Sequence, residues 1–491
     1  MALLYSSDGS KITIDGSSPK ATGDLVIPST FDGLPVTSIG LQAFYNCTGL
    51  TNVTLPSSLK SIGNASFKGC TGLTSMTIPN SVTSIGYGAF YECTGLTSMT
   101  IPNSVTFIDA YAFYGCTGLT NVTLPKNNTF NIINDGTFEM CIKLGNVTIP
   151  DSVTLIAYSA FRDCRTFTIV TIPNNVTSIG NAAFANCIKL TNLTIGTSVI
   201  SIGDAAFQMC IILPSVNIPR NVTSIGDWAF DRCSKLERVT IPDYVSPNRS
   251  QLKSIGYMAF RNCIALTTVM SLTYPTAVQP ANSVFLPYSV TTIGGGAFSG
   301  CSGFTSVTIH DGVTSIGGAV FKYCTGLTSF TSLSFSTPAV PSSKLTTIPP
   351  VMFYGCSSLT SVTIGNKVTF IGESAFGECI SLTSLTLPDS VTAIGPMSFA
   401  NCTGLTSVPI GKNVTSIGYG AFQGCTGLTS TKFSACISYI GNSAFERCTA
   451  LRSVTLPNSI NPNNPNNLTS IGYLAADAFY GVGNEFRIDW K

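Results

Sequence analysis

Residues 80–99 read NSVTSIGYGAFYECTGLTSM, and the chain is built from copies of this stretch. With its flanks the unit takes the form L-x-x-V-x-I-P-x-S-V-x-x-I-G-x-x-A-F-x-x-C. Cys47, Cys70, Cys93 and Cys116 stand 23 residues apart, and the Phe position recurs eighteen times between Phe44 and Phe479. A fixed period of this length is the signature of a solenoid. Such a fold grows by stacking and needs no single large core. The 491 residues therefore do not call for two or three ordinary domains.

Within one unit, Leu96, Met99 and Ile101 fall on the inward side of a short strand, with Ser98 and Thr100 alternating outward. Pro102 ends that strand because it has no N–H to donate. A second extended piece follows, Ser84-Ile85-Gly86 in one unit and Phe107-Ile108 in the next. Ala89, Phe90 and Cys93 are spaced for one helical or 3-10 turn with an inward face. The fold class expected is a β-rich solenoid of about 18 coils, each with a strand, a second extended piece and this turn. Stacked at the inter-strand spacing, the coils span roughly 80 Å.

The ends depart from the repeat. Lys11 to Asp15 alternates like a strand and Asp15-Gly16 reads as a turn. Residues 1–37 are expected to form a cap with a degenerate first coil, 38–482 the repeats, and 483–491 a closing cap. The repeat stretches at five places. The longest additions, Met270 to Val284 and Ser332 to Lys344, are rich in Pro, Ser and Thr, and Asn461 to Asn467 is a low-complexity turn.

Composition excludes several functions. Charged residues are 10% of the chain and the net charge is +2, so there is no basic face for nucleic acid. No apolar run approaches a membrane span, and the first residues lack the form of a secretory signal. Seventeen of eighteen cysteines share one slot and only Cys436 is off register. That slot suits a small buried hydrophobe, and parallel neighbours give poor disulfide geometry; scattered disulfides are the alternative. With one histidine and no C-x-x-C pair, no metal or cofactor is expected. His310, in the proline slot beside Asp311, reads as a structural residue rather than a catalytic one. Glu92, Asp163, Asp231 and Glu446 read as solvated outer-edge charges. Asn52, Asn121, Asn146, Asn175, Asn221 and Asn413 each open an Asn-Val-Thr triplet, formally a glycosylation acceptor and also a product of the repeat. The outward Ser/Thr rows could match an ordered lattice. Strand propensity explains them as well, and Arg238, Met270, Pro409 and Lys432 interrupt them.

The repeated I-P-x-S-V-T-S-I-G-x-x-A-F-x-x-C-T-G-L-T-S-V unit resembles the BspA-type leucine-rich repeats, across about residues 25–482. The resemblance implies a leucine-rich-repeat stack with a strand-lined face and no family-wide catalytic residues. It also implies adhesion to host matrix or cell-surface proteins, and display at the cell surface or secretion. Residues 1–491 contain no stretch that reads as a secretory signal or an anchor, which departs from that pattern.

The functional reading is a non-catalytic protein-recognition solenoid, acting in adhesion or scaffolding through an elongated surface. The competing reading is a structural component that self-associates into a larger assembly or filament. Specificity is expected at irregular coils, because a uniform repeat offers the same weak surface many times. Three insertions lie between Asp243 and Lys344 and bring Tyr244, Arg249, Tyr274, Phe285, Tyr288 and Phe330, the aromatic and cationic types enriched at interface hot spots. These six are the candidate partner-binding residues.

Overall fold

The structure, a computed structural model, describes residues 1–242, 250–271, 282–310, 312–332, 345–461, 463 and 473–491. The chain is a β-solenoid of about 18 turns. It divides into two compact units, Met1–Leu236 and Glu237–Lys491.

In the first unit the N-terminal strand Ala2–Ser7 pairs antiparallel with Ile12–Ser18, which pairs in parallel with Leu34–Ile39. The expected turn at Asp15-Gly16 is instead strand. The chain reverses at Asp8-Gly9-Ser10, where the Asp8 carboxylate accepts the N–H groups of Ser10 and Lys11 at 2.9 and 3.0 Å. Gly16 is required by packing, since a Cβ there would lie 2.7 Å from the Ala43 carbonyl oxygen. From Leu34–Ile39 onward, two-residue strands such as Ser61–Ile62 and Ser84–Ile85 continue one parallel sheet, in register at 23-residue steps. Leu50–Thr54 and Ser75–Thr77 build a second sheet on another side of the coil. Along it the even pattern holds: Met99 is buried between exposed Ser98 and Thr100. In the second unit Ser430–Lys432, Ser453–Leu456 and the closing strand Arg487–Trp490 do the same.

The A-F-x-x-C segment is not helical. In these turns two residues four apart hold left-handed backbone angles, as Ala65 (φ 49°) with Gly69 (φ 73°) and Gly88 (φ 56°) with Glu92 (φ 56°). A helix would satisfy its own N–H groups. Here every second N–H reaches the next coil instead: Ala65, Phe67 and Gly69 donate to the carbonyls of Tyr87, Ala89 and Tyr91, each at 2.8 Å. The residues between them close local turns, as from Lys68 N–H to Ala65 O. Among the described residues the one 3-10 helix is Asn458–Ile460. The sheet of two-residue strands bonds the other way, Thr83 N–H to Lys60 O and Gly86 N–H to Ile62 O. The longer strand donates in both directions, Thr97 N–H back to Thr74 O and Ile101 N–H forward to Thr123 O, while the turn donates forward.

Two columns of side chains fill the core. In the first unit nine phenylalanines from Phe44 to Phe230 stack with ring centroids 5.1 to 5.5 Å apart. In the second unit Phe260 to Phe479 stack likewise. Beside them runs the thiol column: seventeen cysteines are free and buried, and Cys436 is free and exposed. Fifteen of the buried thiols donate to the Phe carbonyl of the preceding coil, as Cys93 to Phe67 O at 3.1 Å. Burial raises the pKa of thiols such as Cys93 and Cys116, and that of Cys70 to about 12, which keeps them protonated.

The polar repeat residues are rungs between coils. Threonines beside the strands donate to the previous coil's backbone, Thr97 to Thr74 O and Thr120 to Thr97 O. Three of the Asn-Val-Thr asparagines donate their side-chain amide the same way, Asn175 to Asp151 O, Asn221 to Thr197 O and Asn413 to Asp389 O, while Asn146 donates forward to the Thr168 hydroxyl of the next coil. Two of the expected outer-edge charges are also inside. Asp163 and Asp231 are 7% and 1% exposed. Asp163 meets Arg165 at 2.9 Å, and Asp231 accepts from Gln208 at 3.0 Å, one repeat away. A carboxylate held off solvent needs such partners.

Candidate recognition surface

The 38 residues from Cys263 to Cys301 carry the strand element twice. Thr268–Ser271 is the regular strand of its coil and pairs with Arg238–Ile241. Beyond residues 272–281, Ser283-Val284-Phe285-Leu286-Pro287-Tyr288-Ser289-Val290 repeats the S-V-x-I-P-x-S-V pattern. Ser283–Phe285 slots in as an extra strand, pairing with the previous strand at Val269↔Val284 and the next at Phe285↔Thr308. Val284, Leu286 and Val290 are buried at the usual inward positions.

This register sets the site. Phe285 occupies the outward row where the next two strands carry Thr308 and Thr331, and it is half-buried. Tyr288 follows the proline and is also half-buried, its ring 6.3 Å from Phe285, edge-on. Behind it sits His310, 2% exposed, with ring centroids 4.8 Å apart. Gly312 N–H donates to His310 Nδ1 at 3.0 Å, so Nε2 carries the proton and donates to Pro287 O at 3.0 Å. Both nitrogens are used, and burial lowers the pKa of the ring, favouring the neutral form. The histidine is a fixed platform for Tyr288.

The other candidate residues divide. Phe330 is not on the surface. It lies inward in the strand Ser329–Ser332, between Val307 and Val362, 2% exposed and 4.7 Å from the Phe353 ring. Period-two alternation puts Ser329 and Thr331 outward and Phe330 in the core. Tyr244, Arg249 and Tyr274 lie outside the described residues. The segments 243–249, 272–281 and 333–344 all follow a strand of one sheet. Their roots, just after Ile241, at Ser271 and at Ser332, stand at the same end of it. The extra strand and the His310 platform were missed in the sequence, although the S-V-x-L-P-x-S-V spelling was there to find.

Among the described residues no group of three or more metal-ligating side chains comes together, and no helix is long and apolar enough to cross a membrane.

Comparison with known proteins places these features. No curated protein matches the chain. The chain is similar over 100% of its length to a leucine-rich repeat protein from Bacteroides ovatus, 98% of which is covered, with 25% identity and a TM-score of 0.63. A T. pallidum leucine-rich repeat protein is 33% identical over 38% of this chain and 87% of its own, with a TM-score of 0.36. A leucine-rich cell surface protein from Faecalibacterium prausnitzii is 24% identical over 88% and 95%, with a TM-score of 0.38. Six copies of the BspA type leucine-rich repeat region match at residues 37–168, 156–278, 247–334, 273–376 and 346–469. With that coverage, the chain belongs to the BspA-type leucine-rich repeat family.

Proposed function

We propose that the chain is a non-catalytic protein-recognition module, serving adhesion or scaffolding, whose contact site is the irregular coil around Phe285 and Tyr288. The observation that supports this is the extra strand: it puts an aromatic ring into an outward row where the two strands that follow carry Thr308 and Thr331. Aromatic side chains bury large area at a contact with little rotamer entropy, whereas a Ser/Thr row offers little. The test uses the double variant Phe285→Thr, Tyr288→Asn, residues that regular coils carry in these slots. Parent and variant are immobilised, and proteins retained from a cell-surface extract are quantified by mass spectrometry. A partner held by the parent and lost from the variant fits the proposal. Equal retention by both puts the site elsewhere, and no retention above a blank surface removes the recognition reading.

One observation favours a second reading, a structural component assembling through its ends. Ala2–Ser7 is the outermost strand of its sheet, with Leu4 and Tyr5 exposed. Sedimentation across a concentration series separates the two: a monomer throughout rules out end-to-end assembly.

A further inference from the structure

A second surface lies in the first unit, independent of the Phe285 site. Over the four coils of Phe90, Phe113, Phe138 and Phe161, tyrosines gather at the corner between the second sheet piece and the A-F-x-x-C turn. Tyr87 and Tyr158 are 49% and 46% exposed. Tyr111 lies between coils, edge-on to Tyr87 at 5.7 Å and to Tyr114 at 6.0 Å. The Tyr111 ring rests on Gly136, where a Cβ would come 2.4 Å from two of its ring carbons. Phe107, 47% exposed, lies four residues from Tyr111 on the adjoining strand. Exposed aromatic groupings of this kind mark contact surfaces.

The charges here are mostly negative. Asp135 is exposed, and one of its oxygens accepts Tyr158 N–H at 2.9 Å. Glu139 is nearly buried and paired with Arg162 at 3.5 Å. Asp135 and Glu139 both act on Tyr111: after burial, their charges are the next causes holding its phenol pKa up. An electron-rich ring face beside a carboxylate attracts a cation.

The molecule meets that demand with its own cations elsewhere. Lys68 lies over the Tyr91 ring at 4.2 Å, and Tyr91 stacks on Tyr114. In the second unit Lys322 lies over both Tyr323 and Tyr354, at 4.9 and 5.3 Å, and Tyr354 donates to Glu378 at 2.6 Å. Two tyrosines, a carboxylate and a cation make up that arrangement. Tyr87, Tyr111 and Tyr158 with Asp135 supply the rings and a carboxylate, and among the described residues no cation lies over these three rings.

We propose that the Tyr87–Tyr111–Tyr158 cluster with Asp135 binds an arginine side chain presented by a protein partner. Arginine is preferred to lysine because a planar guanidinium can lie against a ring while its N–H fork reaches a carboxylate. The supplier is an exposed basic segment with apolar neighbours, which Phe107 would contact.

The probe is a fluorescein-labelled, end-capped Gly-Arg-Gly-Arg-Gly peptide titrated into the full chain and read by anisotropy. Peptides with lysine or glutamate in place of arginine are the comparisons. Asp135→Asn should fold normally, since Asn181 caps the Asp204 N–H in the same way at 2.9 Å. Tyr111→Leu keeps the apolar volume and removes the ring. The arginine peptide should bind saturably, more tightly than the lysine peptide and less so with added salt, while the glutamate peptide should not bind. Each variant should weaken it by about fivefold or more. Phe285→Thr should leave it unchanged, separating this site from the other. The proposal is overturned if the arginine peptide does not saturate, if both variants bind it as the parent does, or if a neutral oligosaccharide displaces it.

Discussion

Phe184→Ala probes the ring column where it is most regular. Phe184 is fully buried in the first unit, with its centroid 5.3 Å from Phe161 at 13° and 5.5 Å from Phe207 at 2°. Returning a buried Phe to solvent forfeits about 1.5–3 kcal/mol of transfer free energy. Two stacked contacts add about 0.5–1.5 kcal/mol each. Relaxation of the site offsets part of the total, so the loss should fall at about 3–5 kcal/mol. Because each coil is held by its nearest neighbours, the loss should appear first as local opening. Hydrogen exchange should accelerate over residues 155–215, notably at the N–H of Phe161 and Phe184, which bond Ala183 O and Ala206 O. Residues 345–461, in the other unit, should exchange as before. Phe184→Leu should show the same pattern with a smaller amplitude. Unchanged exchange and an unchanged melting curve for the alanine variant would refute a column that binds coil to coil.

Other outcomes follow from the thiols, the histidine and the carboxylates. Brief alkylation of the native chain should label Cys436 alone, and denaturant should expose seventeen more sites, counted by intact mass. His310, the chain's only histidine, has a folded pKa below its ordinary 6.5. The unfolded chain then holds more protons between the lowered value and 6.5, so stability is full above that range and falls as pH drops through it. The slope should approach about 1.4 kcal/mol per pH unit at most. Denaturant midpoints of the parent should show it, and those of His310→Pro, the residue most coils carry there, should not. Asp231→Ala should destabilise its coil by about 1–3 kcal/mol, read by denaturant melting, because the Gln208 amide loses its acceptor one repeat away.

The solenoid was legible because its residues repeat at one step. Inward Val, Ile and Leu, the Phe column and the thiol slot follow from position in the unit alone. What escaped depends on comparing coils side by side. Phe330 was grouped with an insertion because it precedes one, yet Ser329-Phe330-Thr331 lines up with Ser306-Val307-Thr308, which places the ring inward. The extra strand was hidden by measuring from cysteine to cysteine, since it has no cysteine of its own. Asp231 looked solvated when read within its turn, and its partner Gln208 lies 23 residues back. The turn itself misled for a different reason. Ala-Phe-x-x-Cys suits a helical face equally well, and the left-handed positions are often not glycine, as at Glu92 and Met140.

The paired direction of the backbone bonds has a consequence for how such a gene can change. Thr94–Cys116 can be excised so that Cys93 runs directly into Thr117, restoring the Cys-Thr-Gly-Leu-Thr spelling. Thr120 N–H, bonded to Thr97 O, would find Thr74 O, the acceptor that Thr97 N–H vacates. Phe90 would meet Phe138 in place of Phe113. Backward and forward donors thus both recover partners of the same kind, and only the length changes. A cut of another size inside a strand or turn would strand donors on both sides of the join. Near-identical repeats also favour unequal crossing-over, so whole coils are the natural currency in which copies of this chain would lengthen, shorten and drift apart.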